Sequence, residues 1–409
     1  MKTEQYKAGD LDLKYGDNGA VYFPEADYLF GITTDRDDNT YVAGRTHDDK
    51  FYVARVTRDG KLDTGFGGVG YVIGAFLDDH KSQAFTVSVD SQNRVLITGD
   101  LYGRGDRICV ARFMPDGSLD ETFADRGRAA IPPPSDSPTP EPSENAQAGS
   151  QSNAVTVFRD GSIVIFWKYF GFITYLIRLT KDGVLDRTFN NSGYVKVSYK
   201  DLDLYPSAMT VLEGERLITG SFAYIRPLKH GLLAAYDFSG QLDHTFAEDG
   251  YLLLIEPADK GSEIWNLQQA QDQHIWAIGR TTTPPFGSGL PPTRGFLTRL
   301  NKEGHIDTTF NLGMPVLTQV DDEEWIMGAV QSDGKIVLAG SQRHGRGGML
   351  GRYNTDGSLD AAFGEKGFRF FPSGGEARLV TLQQDGSILA GGSVSPDGHR
   401  VAVLLRYHK

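Results

Sequence analysis

Short apolar and β-branched runs, each bounded by Gly, Asp or Asn, recur along the whole chain. One stretch shows the unit: AFTVSV (84–89), RVLITG (94–99), RICVARF (107–113) and GRAAI (127–131). Each run is too short for a helix and suits a pleated strand. Four such strands in a repeat of 40 to 60 residues is the pattern of a β-propeller blade.

Between the strands runs a second pattern, DG-x-LD-x-x-F followed by a glycine turn. It reads DGKLDTGFGGVG, DGSLDETFADRG, DGVLDRTFNNSG, SGQLDHTFAEDG, EGHIDTTFNLGM and DGSLDAAFGEKG, with a weaker copy, AGDLDLKYGDNG, near the start. The anchor aspartates are Asp12, Asp63, Asp120, Asp186, Asp243, Asp307 and Asp360, at a mean spacing of 58 residues. An aromatic (Tyr15, Phe66, Phe123, Phe189, Phe246, Phe310 or Phe363) stands three places after each.

The ends set the count. The last copy runs through ARLVTLQ, SILAGG and VAVLLRY and stops short of its LD-x-x-F segment and fourth strand. The first residues supply those parts as LDLKY and AVYF (20–23). Joining them completes a blade and removes an exposed strand edge. The expected fold is therefore all-β: a single seven-bladed propeller over 1–409, four antiparallel strands per blade, with a strand at about 19–23 completing the C-terminal blade. The expected blades are about 28–75, 84–131, 152–198, 206–255, 264–318, 325–371, and 377–407 plus 10–23.

The combination DG-[KR]-[IV]-x-x-[AT]-G, then A-R-[YFVL]-x-x-DG-x-[LI]-D-x-x-F-G, resembles the bacterial delta-60 repeat family from Asp10 to Tyr407. The layout is also similar to that of NHL-type propellers, which implies that the run before the first tight turn is the innermost strand. Ala235 departs from the pattern where the other copies have arginine, as does the NLGM turn of the fifth blade. The resemblance implies a fold and no activity.

Composition narrows the function classes. A formal net charge of −12 opposes binding to nucleic acid and to anionic membranes. No apolar run approaches the length of a membrane span, and MKTEQYKAGDLDL lacks a secretory signal's apolar stretch. The single cysteine, Cys109, allows no internal disulfide, so a cytoplasmic location is expected. Recognised catalytic patterns are missing. Gly65-Phe-Gly67-Gly-Val-Gly70 belongs to the repeat turn, and no helix follows it. Asp35-Arg-Asp37-Asp38-Asn39 starts like a calcium loop, but lacks its glycine (Thr40) and its last glutamate (Thr46), so it reads as a tight turn. The nine histidines show no metal-ligand spacing.

Eight residues before the anchors stand Arg55, Arg112, Arg178, Arg299 and Arg352, and Arg406 fits once the ring closes onto Asp12. A pair repeated in nearly every blade reads as scaffold, with a guanidinium tying down a loop.

Function is expected where the repeat varies. Length variation falls in the second-to-third-strand connections and in those between blades, which emerge on one face. That face carries a Pro/Ser-rich loop at 132–151, expected to be flexible, and a Pro-rich loop at 281–293 with Phe286. Its interblade loops are acidic (Asp78, Asp79, Asp201, Asp203, Glu256, Asp259, and Asp321 to Glu324). Its other loops are basic (Arg104, Arg107, Lys168, Arg226, Lys229, Arg280, Arg294, Arg343 and Arg346), so an acidic centre in a mixed or basic rim is expected.

Counting twelve residues back from the first apolar residue of each second strand puts Leu29, Gln83, Gln151, Tyr205, Glu263, Glu324 and Glu376 at the channel mouth. Glu263, Glu324 and Glu376 are the candidate ligands for Ca²⁺ or another divalent cation, against a reading as solvated loop carboxylates. No other cofactor is expected. Trp265 and Trp325 lie beside them, either as sugar platforms with Tyr169 and Phe286 or buried between blades. The leading expectation is a non-enzymatic module that binds a protein, peptide or glycan through the variable-loop face. The alternatives are a metal-dependent hydrolase or lyase at the channel mouth, and a lectin.

Overall fold

The computed structural model of the chain describes residues 6–101, 107–135, 137, 154–169, 173–202, 204–212, 216–254, 260–283, 292–318, 322–342, 347–395 and 398–409. It contains seven four-stranded antiparallel sheets. Blade one is β2 (Ala26–Thr34), β3 (Thr40–Thr46), β4 (Phe51–Val56) and β5 (Tyr71–Gly74), and blade two is β6 (Ser82–Val89), β7 (Val95–Leu101), β8 (Ile108–Phe113) and β9 (Arg128–Ile131). Blade three is β10 (Ala154–Val157), β11 (Ile163–Tyr169), β12 (Ile173–Leu179) and β13 (Tyr194–Lys196), and blade four is β14 (Leu204–Leu212), β15 (Arg216–Ile225), β16 (Leu228–Tyr236) and β17 (Tyr251–Leu254). Blade five is β18 (Gly261–Gln269), β19 (Ile275–Thr282), β20 (Gly295–Leu300) and β21 (Val316–Leu317), and blade six is β22 (Glu323–Val330), β23 (Ile336–Gln342), β24 (Gly347–Tyr353) and β25 (Phe368–Phe370). Blade seven is β26 (Glu376–Leu382), β27 (Ile388–Val394) and β28 (Val401–Tyr407), completed by β1 (Ala20–Phe23).

Closure is direct: β1 lies antiparallel to β28, with Ala20 opposite Leu405 and Phe23 opposite Ala402. The first strands of successive blades touch around the circle and form its inner wall. Buried apolar side chains from facing sheets form a series of cores between neighbouring blades. No helix among the described residues is long and apolar enough to cross a membrane.

The LD-x-x-F segments tie the blades together. Directly after each +3 aromatic, a backbone N–H reaches the next blade: Gly16 to Asp59, Gly67 to Asp116, Ala124 to Asp182, Asn190 to Ser239, Ala247 to Glu303, Asn311 to Asp356, and Gly364 to Ala8. These seven bonds, of 2.7–2.9 Å, make a complete circle. The arginines reinforce it. Arg112 Nε donates to Asp120 at 2.7 Å, its Nη1 reaches the Lys181 carbonyl of the next blade at 2.5 Å, and its guanidinium lies 4.4 Å from the Phe123 ring centre. Arg55, Arg178, Arg299 and Arg406 likewise pair with Asp63, Asp186, Asp307 and Asp12 and reach a carbonyl in the following blade. Arg352 pairs with Asp360 at 2.9 Å. Burial acts to raise the carboxyls of Asp12, Asp120, Asp243, Asp307 and Asp360, but hydroxyl, backbone and cationic donors outweigh it and hold each below its ordinary value.

Blade four solves its missing arginine from another strand. Arg216, at the start of β15, pairs with Asp243 at 2.7 Å and donates to the Lys302 carbonyl at 2.9 Å. Those are the two acceptor types that the third-strand arginine uses elsewhere. Beside this pair lies a cavity of about 370 Å³, lined by Arg216, Asp243, Gln273 and Lys302 among others.

Candidate functional site

The first strands of six blades are bulged at the same place, between Leu29 and Gly31, Ala84 and Thr86, Pro206 and Ala208, Ile264 and Asn266, Trp325 and Met327, and Ala377 and Leu379. In five of these six blades the bulge pushes the preceding carbonyl against the second strand, where a glycine leaves room for it; blade four has Ser221 at that place. A Cβ at Gly44, Gly99, Gly279, Gly340 or Gly392 would collide with the carbonyl of Tyr28, Gln83, Glu263, Glu324 or Glu376. This contact explains the glycine of the [AT]-G motif in those five blades, whereas Gly220 of blade four faces side chains of Ile264, Ala208 and Leu267. It also corrects the mouth register: Tyr28, not Leu29, is the equivalent of Gln83 and the glutamates. The first residue of β3 is the polar Thr40, so counting from the first apolar residue slips by one in that blade. Leu29 is buried in a core cluster.

The other residues expected at the mouth have distinct surroundings. Gln151 and Phe286 lie outside the described residues, as do Arg104, Arg343, Arg346, Asp203, Glu256, Asp259, Asp321 and most of both proline-rich loops. Gln83 is buried and donates to Asp100 at 3.0 Å. Burial pushes the Asp100 carboxyl up to about 7 against that bond, and its Oδ2 has no partner among the described residues. Tyr205 stacks on Phe222 at 4.8 Å. Lys168, expected in a rim loop, is instead inside β11 and fully buried, because that strand runs on to Tyr169. Its ammonium donates to the Leu204 carbonyl at 2.9 Å and sits 3.4 Å from the Tyr205 ring centre.

Two of the candidate sugar platforms are packed away, Trp325 by the burial between blades that is its other reading. Tyr169 is fully buried and its hydroxyl donates to the Ile131 carbonyl. Trp325 is buried in a slot where Gly295, Gly340 and Gly351 leave room for its indole. Trp265 is half-buried, with the Arg280 guanidinium 5.1 Å from its ring centre.

The three glutamates meet cations. Glu263, only 1% exposed, accepts from Lys229 at 2.5 Å and from Arg280 at 2.7 Å. Arg280 reaches on to Glu324 at 2.7 Å, and Ser341 donates to the same carboxylate at 3.2 Å. Glu376 pairs with Arg378 at 3.3 Å and Arg400 at 3.2 Å. Burial pulls the Arg280 pKa down, but Glu263 and Glu324 outweigh it and hold the guanidinium above its usual value. Among the described residues, no group of three or more His, Cys, Asp or Glu side chains is placed to hold a metal ion. Lys229 and Arg280, expected in loops, lie instead in β16 and β19, because those strands run further than their apolar cores. They form ion pairs across the blade four–five and five–six junctions.

Above Glu263 opens a cavity of about 240 Å³. It is lined by Tyr224, Pro227 and Lys229 of the β15–β16 hairpin and by Thr282, Thr283 and Thr293 of blade five. Gly261 brings the blades together, since a Cβ there would strike the Lys229 carbonyl and the Thr282 hydroxyl. Tyr224 is 39% exposed, and Thr293 Oγ1 is buried with no hydrogen-bond partner among the described residues. Sequence reasoning reached Glu263, Lys229 and Arg280 singly. It missed Tyr224 as a wall residue, because the wall forms only when hairpins from two blades meet.

Comparison with known proteins agrees with this architecture. Two stretches, 92–123 and 331–363, match a family described as a domain of unknown function (DUF5122) beta-propeller. No curated protein matches the chain. Among solved structures, it is similar to an ulvan lyase of a new polysaccharide lyase family, bound to a GlcA(1-4)Rha3S saccharide, at TM-score 0.53 and 10% identity, over 98% of this chain and 96% of that one. It is also similar to a protein of unknown function from Dyadobacter fermentans, at TM-score 0.47 and 11% identity, over 96% of this chain and 100% of that one. At such identities the likeness is one of fold.

Proposed function

We propose that the chain is a delta-60-type repeat propeller that works as a non-enzymatic binding module. It takes its ligand through the variable-loop face, at the junction of blades four and five. The observation that carries this reading is the cavity at Glu263, lined by the β15–β16 hairpin of blade four and by Thr282, Thr283 and Thr293 of blade five around an ion-paired carboxylate. That carboxylate is rigid, because both Glu263 oxygens are held by cations from different strands. Variable loops on a fixed scaffold are the usual place for recognition. The constant face, with its ring of interblade bonds, is occupied in holding the blades together.

The test is partner capture by immobilised protein. Tyr224→Ala, on the loop face, is expected to lose the captured partner. Lys181→Ala, at an exposed position on the constant face, is expected to keep it. The opposite pattern refutes the reading.

A further inference from the structure

We propose that the blade four–five cavity is a subsite for one ring of a neutral saccharide. This rests on the binding-module reading and names its ligand class. The argument begins with charge. Lys229 and Arg280 face Glu263 and Glu324, two cations against two carboxylates, all joined by contacts of 2.5–2.7 Å. A ligand carrying a full charge has to compete with one of these pairs, whereas a neutral hydroxyl does not. Spare hydrogen-bonding capacity remains. An ammonium has three protons, and one of Lys229's is directed at Glu263. Each Glu263 oxygen accepts one cationic donor and has a lone pair left. Thr293 Oγ1 is a buried hydroxyl without a partner among the described residues, and such a group calls for an explanation.

Shape and surface complete the case. At about 240 Å³ the cavity falls below the roughly 300 Å³ at which pockets for drug-sized ligands begin. It has room for a single ring. Donors (Lys229, Arg280) and acceptors (Glu263) lie side by side, as vicinal hydroxyls that both donate and accept require. Tyr224 adds a part-exposed aromatic ring, suited to the apolar C–H face of a sugar.

The test is titration of the whole chain with neutral sugars (glucose, galactose, mannose, xylose and their disaccharides), followed by ligand-observed NMR and calorimetry. At least one is expected to bind, with affinity falling tenfold or more in Tyr224→Ala and in Thr293→Val. Tyr224 is part-exposed, so its truncation should leave the fold intact, and the melting curve checks this. Failure of every neutral sugar to bind, binding of uronates alone, or unchanged affinity in both variants overturns the proposal. A partner captured through the loop face, yet not displaced by any sugar, overturns the saccharide and leaves the binding module standing. Loss of both signals removes the two together.

Discussion

Replacing Asp100 with asparagine should make the protein more stable, and by more at alkaline than at acidic pH. Asp100 is fully buried near the end of β7, with one bond from Gln83 and a second oxygen unpartnered among the described residues. Burial raises its pKa from 3.8 to about 7, so the folded state holds a proton that the unfolded chain releases. For an acid raised in this way, stability is complete below the unfolded pKa. It is lost as pH rises towards the folded value, above which the loss stays constant. The full gap of about 3 units corresponds to about 4 kcal/mol, and about 2 of those units lie between pH 5 and pH 8. Asparagine has nearly the same shape, can still accept from Gln83 and cannot ionise. Urea unfolding of wild type and Asp100→Asn at about pH 5 and about pH 8 isolates the effect, because every other titrating group is common to both. The advantage of the variant should grow by about 3 kcal/mol over that interval. An advantage equal at the two pH values, or one that shrinks as pH rises, refutes the assignment.

Arg216→Ala should lower stability by about 1–3 kcal/mol, since Asp243 and the Lys302 carbonyl both lose their donor. Ala235→Arg in the same chain should recover most of that in urea melts, and a double variant no better than the single one disproves the substitution of one arginine for the other. Arg112→Lys keeps the charge but loses the fork that spans Asp120 and the next blade, so a loss of about 1–2 kcal/mol is expected. Wild-type stability in that variant would show the fork to be idle. Because Asp120 and Asp307 are held below their ordinary values, the stability they contribute is present above the unfolded pKa and lost as pH falls through the folded one. Asp120→Asn should therefore flatten the acid side of the stability curve, and an unchanged slope contradicts the reading.

The ring was legible because its information is local and repeated. Each strand run, each DG turn and each LD-x-x-F segment is readable within one copy, and the split last copy tells how the ends meet. Information that crosses copies was harder. The absence of an arginine at Ala235 is visible, but its replacement, Arg216, occupies the [KR] position of a neighbouring strand. Only the pairing of β15 with β16 brings the two positions together. The mouth register slipped in blade one because Thr40 is polar where equivalent positions are apolar, and the carbonyl–glycine contact that reveals the true register is a tertiary one. Lys168 read as a loop residue because a charge at a strand end resembles a turn. Its burial depends on the Leu204 carbonyl and the Tyr205 ring of the next blade.

The pairing of β1 with β28 makes the fold a check on chain length. Ala20 is synthesised well before Leu405 and meets it across far more chain than separates any two strands of one repeat. For a flexible chain that separation costs about 2 kcal/mol more to close than a single repeat does. Stacked blades remove most of this cost, because six sheets already laid side by side bring the ends together. A chain stopped before Val401 has no such outcome. Its β1 finds no partner, the bonds from Gly16 to Asp59 and from Gly364 to Ala8 lose their support, and the cores on either side of blade seven lose the apolar side chains of β28. The arrival of β28 closes the ring and fills both cores at a single step.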